Sequence, residues 1–220
     1  MQSFDDLAAS YDRIGSLVPP PFVEFIRAQL PARGARALDA GCGSGHFAAM
    51  LAERYDLVVG IDISGPMIEI ARRMRSRPNI EYRVEDLMAF DDARGFDLVL
   101  STCVLHHVPN LEVALQRLRG LVRAGGVAVL IDNISWTTTP PRWVHTLSAW
   151  RHLPLDVMAH GWRDARWLFE FRTNGRWLDH LATDRYLSRT EFRRRYGAVF
   201  PGAAFRSFGW AESLTWRAAS

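Results

Sequence analysis

The densest chemical signal in this sequence is the run Leu38-Asp39-Ala40-Gly41-Cys42-Gly43-Ser44-Gly45-His46-Phe47. An apolar stretch enters a G-x-G-x-G turn, and a helix is predicted to begin near His46. Glycines tolerate positive φ and let a ligand approach the backbone closely. A helix N-terminus also offers amides to a carboxylate or phosphate. Nicotinamide enzymes use a similar loop, and a glycine-rich turn with no ligand has the same composition, so the loop alone does not choose. Asp62 follows the apolar run Leu57-Val58-Val59-Gly60-Ile61, where an acid can accept hydrogen bonds from ribose hydroxyls. Asp86 follows the next run, where a carboxylate suits the exocyclic amine of an adenine along the sheet edge. Dinucleotide enzymes need no acid at that third position, and this disfavours a nicotinamide cofactor.

A second group lies further along. His106 and His107 leave the fourth apolar run, and Asp132 leaves the fifth. Neighbouring strand ends in an open α/β sheet face one crevice. A carboxylate beside an imidazole fixes its tautomer and favours its protonated form, which is a base with its orienter. The expected pair is His107 with Asp132, with His106 as the alternate base. Structural packing of one of the two histidines is the competing reading. Cys103 reads as a small buried residue rather than a nucleophile.

These residues need a scaffold, and the pattern between about residues 36 and 132 supplies one. Short apolar runs at Ala35–Leu38, Leu57–Ile61, Ile80–Val84, Phe96–Leu100 and Val127–Ile131 alternate with helical patterns, as in βαβ units of a parallel sheet. Ser64 is placed to cap a helix with Met67, Ile70, Ala71 and Met74 on one face. Leu111, Leu115, Leu118 and Val122 mark another helix, expected to stop at Gly125-Gly126. Six of the eight tryptophans (136, 143, 150, 162, 167 and 177) fall between residues 133 and 187. There Pro141 to Leu153 reads as a helix, closed by Pro154, with Trp143, Leu147 and Trp150 on one face. Ser188-Arg189-Thr190-Glu191 is a capping box opening a helix through Tyr196. Ala204 to Trp210 and Ser213 to Ala218 read as two closing strands.

Composition narrows the chemistry. All 27 basic residues are Arg, so lysine Schiff-base and P-loop mechanisms are excluded. The net charge of +3 does not indicate a nucleic-acid partner. Two cysteines, Cys42 and Cys103, are too few for a disulfide framework or a cysteine metal site, and no metal is expected. No run of about 18 apolar residues suggests a membrane span, and the first residues lack the signs of a signal peptide, so a cytoplasmic protein is expected. The oligomeric state stays open between monomer and homodimer.

Taken together, Asp39 to Gly45 resembles motif I of the class I S-adenosylmethionine-dependent methyltransferases. Phe96 to Asn110, with its Leu-His-His-Val-Pro, resembles their fourth-strand motif, and Leu121 to Val127 the turn before strand five. Phe4 to Asp12 is similar to the N-terminal lid helix of the small-molecule members, and the likeness fades across the tryptophan-rich segment. The resemblance implies a Rossmann-like three-layer α/β sandwich. Its sheet would be mostly parallel and seven-stranded, with an antiparallel last strand and a helical insert after strand five. One domain over residues 1–220 is expected, with a lid over about 1–30 and an acceptor-side insert over about 133–187.

By position, the resemblance gives Asp39 and the backbone of Gly41 and Gly43 the methionine end of S-adenosylmethionine. Asp62 would take the ribose, Asp86 and the Leu87 amide the adenine, and Ile63 is a further cofactor-binding candidate. Ser101 would lie beneath the sulfonium, and Tyr11 would close over it. The methyl acceptor implied is a small molecule, through O-methylation of an aromatic or glycosylated metabolite. C- or N-methylation of a quinone-like or amine acceptor, and tRNA modification, are the alternatives. The Asn/Asp-Pro-Pro-aromatic motif of DNA amine methyltransferases is absent, Ser101-Thr102-Cys103-Val104 standing in its place. Trp136, Trp143 and Trp150 are the candidate acceptor-stacking residues. They have two other readings: docking of the insert onto the sheet, and contact with a membrane surface.

Overall fold

The computed structural model describes residues 2–18, 20–182 and 184–219. The five apolar runs form β1 (Gly34–Ala40), β2 (Tyr55–Asp62), β3 (Ile80–Val84), β4 (Phe96–Thr102) and β5 (Val122–Asn133). The chain closes with β6 (Ala204–Ser207) and β7 (Ala211–Arg217). The strand order is β3-β2-β1-β4-β5-β7-β6. β1 to β5 pair in parallel, and β7 pairs antiparallel with both β5 and β6. Six strands therefore share one direction and only β7 opposes them, as the resemblance implied.

Both faces of the sheet are covered, and the period of two along each strand explains how. Ala37, Val58, Leu98 and Val129 enter one core, while their neighbours Leu38, Val59, Val99 and Leu130 enter the other. The first core takes Ile26 of α2 (Pro20–Gln29), Leu51 of α3 (His46–Leu51) and Ile68 of α4 (Gly65–Met74). The second takes Leu115 of α5 (Leu111–Gly120) and Phe192 and Tyr196 of α8 (Arg189–Val199). Ser64, Asn110 and Ser188 cap α4, α5 and α8 by accepting from Met67 N, Val113 N and Glu191 N.

Three local expectations are corrected. The buried face of α4 is Met67, Ile68 and Ala71; the apolar stripe turns toward Ile68, and Met74 in the last turn is exposed. α5 stops at Gly120 rather than Gly125-Gly126. Val122 already belongs to β5, and the two glycines lie where the β4–β5 register jumps from Phe96–Val122 to Leu98–Val127. The helix after Pro141 does not end before Pro154. α6 runs Arg142–Thr173 through that proline and breaks at Gly161, whose φ of 78° and ψ of 167° only glycine adopts readily. Its halves fold back on each other, with Asp156 paired to Arg172 and Trp150 against Phe169 at 4.6 Å.

After α6 and α7 (Gly175–Leu181) the chain returns to its point of departure, where Ile134 and Leu187 form an isolated parallel bridge. No helix among the described residues is long and apolar enough to cross a membrane.

Candidate active site

The C-terminal ends of β1, β2, β4 and β5 bring together the residues singled out from the sequence, as the crevice rule for open α/β sheets requires. Asp39, on β1, is buried, and neither carboxylate oxygen has a hydrogen-bond partner. Burial pushes its carboxyl up to about 7; the nearby Ala48 amide moderates the rise and the Asp62 charge adds to it. Ser101, on the adjacent β4, is equally buried and its hydroxyl is also unpartnered. Native interiors rarely leave such groups orphaned. A ligand bearing a cation for Asp39 suits this pair, so the residues fit the expected cofactor.

The glycine loop has its first amides engaged within the fold. The amides of Gly41 and Cys42 donate to Ile61 O at 2.8 and 2.9 Å, and the Gly43 amide donates to Asp62 Oδ2 at 2.9 Å. These N–H groups are spent inside the fold, which leaves the loop its carbonyls and its bare backbone. Gly41, at φ 76°, has no room for a side chain, since a Cβ there would sit 2.2 Å from Val104. Asp62 also accepts from Ser64 N at 2.9 Å, so one carboxylate ties the loop to the start of α4. Ile63 and Asp86 are exposed and Leu87 is buried; Asp86 Oδ1 accepts from Met88 N at 2.8 Å.

The N-terminal helix α1 (Gln2–Ser16) lies over this crevice. Asp12 contacts Arg75 at 2.6 Å, and His46 Nε2 stands 3.0 Å from Asp12 O and 2.7 Å from Arg75. Arg75 also donates to Ser44 O at 3.0 Å, which latches α1 to the glycine loop. Tyr11 reaches the other side, its hydroxyl 2.7 Å from His180 Nε2 on α7. Burial lowers the His180 pKa, which favours the neutral ring beside the tyrosine hydroxyl. Burial and the Asp184 charge in turn hold the Tyr11 phenol well above its ordinary range.

The histidines sort themselves against expectation. Cys103, with φ 57°, ends β4 in a left-handed turn, and a short 3-10 turn (Leu105–His107) follows. This sends His106, not His107, to Asp132: Nδ1 and Oδ1 are 2.5 Å apart in a buried contact. Asp132 is held further by Asn133 N at 3.1 Å and by the Tyr196 hydroxyl at 3.4 Å. Burial disfavours the His106 imidazolium, but Asp132 outweighs it, so the pKa is raised. His107 pairs instead with a residue the sequence did not suggest. Asp184 Oδ1 stands 3.0 Å from His107 Nδ1, an electrostatic contact whose alignment falls short of a hydrogen bond. Asp184 Oδ2 accepts from the Tyr186 hydroxyl at 2.6 Å and lies 3.9 Å from His106 Nε2. Burial works against the Asp184 carboxylate, yet His107 and Tyr186 hold its pKa below the usual value.

A cleft of about 640 Å³ opens beside this group, lined by His106, Asp132, Trp136, Thr138, Arg185 and Tyr186. Trp136, a candidate acceptor-stacking residue, is part of that lining. Trp143 and Trp150 lie outside that lining and stay largely exposed on α6. Ligating atoms of His106, His107 and Asp184 lie within 4.8 Å of one another, a spacing that suits a metal ion among the described residues. Asp12, Arg75, His180, Asp184 and Tyr186 are the site residues that sequence reasoning missed. Only Asp12, next to Tyr11, carried a local signal.

Comparison with known proteins agrees with this fold. A family profile described as a methyltransferase domain matches residues 38–130. An uncharacterized methyltransferase of Mycobacterium tuberculosis is 31% identical over 199 residues, covering 88% of this chain and 92% of that protein. A ubiquinone biosynthesis O-methyltransferase of Coxiella burnetii is 29% identical over 135 residues, covering 57% of this chain and 58% of that protein. Among solved structures, DhpI in complex with S-adenosylhomocysteine superposes with a TM-score of 0.68 at 20% identity, covering 98% of this chain and 93% of that one. A Haloferax volcanii methyltransferase complex with a methyltransferase activator gives a TM-score of 0.67 at 17% identity, covering 99% and 98%.

Proposed function

Because this chain belongs to the class I S-adenosylmethionine-dependent methyltransferases, we propose that it methylates a hydroxyl oxygen of a small aromatic or glycosylated molecule, with His106 as the base. S-adenosylmethionine supplies an electrophilic methyl group on a sulfonium centre, and S-adenosylhomocysteine is the product. We read residues 1–220 as one methyltransferase domain, with 133–187 forming the acceptor side and α1 the lid.

The residues divide the work as follows. The orphaned Asp39 carboxylate takes the ammonium of the methionine end, and Asp62 accepts from the ribose while holding the Gly43 amide. Asp86 and the Leu87 amide meet the adenine, beside Ile63. Ser101 supports the reacting end, and Tyr11, held by His180, excludes water above it. The acceptor enters the cleft beside Trp136 with its hydroxyl toward His106 Nε2. As the oxygen attacks, its proton passes to Nε2, and Asp132 stabilises the imidazolium through Nδ1–H. That proton then leaves to solvent. Alignment of the acceptor in the cleft contributes several kcal/mol on top of proton transfer, by the usual measure of preorganised reactants.

The observation that carries this reading is the 2.5 Å His106–Asp132 contact at the wall of that cleft. The ubiquinone O-methyltransferase relative adds support for oxygen as acceptor atom. The test is incubation with methyl-labelled cofactor and a fractionated cell extract. Label in small molecules is the expected result; label in RNA transfers the function to nucleic-acid modification, and label in protein excludes both.

A further inference from the structure

The outer face of α6 is a largely exposed apolar line, along which Trp150 also meets Phe169 of the helix's second half. Three- and four-residue steps place Trp143, Leu147, Trp150, Pro154 and Met158 on one side of the first half of the helix, and all are exposed, Met158 to 84%. The opposite side holds His145, Ala149 and the buried Asp156, and His145 lies within electrostatic reach of Asp184. One face of α6 thus turns inward while the other meets solvent. Soluble proteins seldom leave a contiguous apolar strip of this kind uncovered.

Charge says what covers it. From Ile134 to Arg163 the sequence has a single acid, Asp156, which is buried and paired with Arg172. Arg151, next to Trp150 in the chain, and Arg163, just past the Gly161 break, are exposed and join no ion pair among the described residues. Tryptophan with arginine on the shoulders of an apolar stripe matches the interfacial layer of a bilayer with acidic headgroups. A second copy of the chain fits less well. A two-fold pairing of the stripes sets Arg151 against its own counterpart, with no exposed acid in the segment to answer it.

We propose that the outer face of α6 seats this enzyme on an anionic lipid surface, with Trp143, Leu147, Trp150 and Met158 in the headgroup boundary and Arg151 and Arg163 on phosphate. Surface contact goes beyond the proposed methyl transfer. The corollary, an amphiphilic acceptor entering from the lipid side, rests on that function and fails with it.

Sedimentation with vesicles tests the contact. The full-length protein is mixed with vesicles of phosphatidylglycerol and phosphatidylcholine, or of phosphatidylcholine alone, at low and high salt. It is expected to pellet with the anionic vesicles and to be released by salt. L147S/M158S is expected to lower the bound fraction severalfold, and R151Q/R163Q to weaken binding about fivefold per arginine on anionic vesicles only. Calorimetric affinity for S-adenosylhomocysteine is expected to stay unchanged in both variants, which keeps loss of the surface apart from loss of the active site. The charge variant leaves the apolar line intact and carries the test if the serine variant does not fold. Failure of the unmodified protein to bind anionic vesicles overturns the proposal, and so does binding that both variants retain. A dimer in solution that L147S/M158S splits also overturns it, in favour of a second copy.

Discussion

His106 and Asp132 meet through a single buried contact of 2.5 Å between Nδ1 and Oδ1, although one leaves strand β4 and the other ends strand β5. The neighbouring imidazole of His107 faces a different carboxylate, Asp184, at 3.0 Å. Two adjacent histidines therefore hold two separate acids, and their roles separate by experiment.

His106→Gln keeps an amide that can donate to Asp132 but takes no proton from an acceptor. Its kcat is expected to fall about 10²- to 10⁴-fold, the usual contribution of a positioned base, with little change in cofactor affinity. His107→Gln is expected to lose much less. Steady-state kinetics with the identified acceptor decide; a larger loss at His107 moves the base to the Asp184 pair.

The pH dependence follows from the direction of the His106 shift. Asp132 raises its pKa, so the neutral base forms only above the ordinary imidazole value of about 6.5. kcat is expected to rise with pH through a midpoint above that value, and the step is expected to vanish in His106→Gln. Stability runs the other way. A raised pKa in the fold contributes stability that is complete below the unfolded value and is lost as pH rises through the folded one. Thermal melts of the unmodified protein between neutral and alkaline pH read this loss, and a flat kcat profile contradicts the assignment.

The fold was legible where physics is local. Five short runs alternating with helical patterns marked the parallel strands, and the Ser64 and Ser188 caps marked two helix starts. Pro154 misled, because α6 absorbs it and breaks at Gly161 instead. The choice between His106 and His107 was not legible. The left-handed Cys103 ends the strand alternation, and successive residues of the 3-10 turn point about 120° apart. Asp184 had no signal at all; only the return of the chain after α7 brings it to His107.

Asp39 supplies a second pH signature. In the free enzyme its carboxyl is raised to about 7, while an ammonium partner favours the ionised form. Binding of S-adenosylhomocysteine is expected to release a proton and to weaken as pH falls below about 7, by up to about tenfold per unit. Calorimetry at several pH values measures it. Asp39→Asn is expected to bind weakly at every pH, and a pH-independent affinity in the unmodified protein contradicts the assignment of the ammonium to Asp39. Without cofactor, the raised pKa makes the fold lose stability as pH climbs from about 4 to about 7.

Chelation separates a base from a metal ligand. His106, His107 and Asp184 are spaced for a cation, but a base needs His106 Nε2 for the proton. Activity is expected to survive exhaustive dialysis against a chelator. Loss of activity that a divalent cation restores makes His106 a ligand and removes it as the base.

The most direct test of methyl transfer to oxygen is carbon-13 NMR of the product made with carbon-13 methyl-labelled S-adenosylmethionine. The account predicts an ether methyl resonance on a small molecule, formed by the unmodified enzyme and strongly diminished with His106→Gln. A methyl resonance on nitrogen or carbon, formed equally by both, contradicts it.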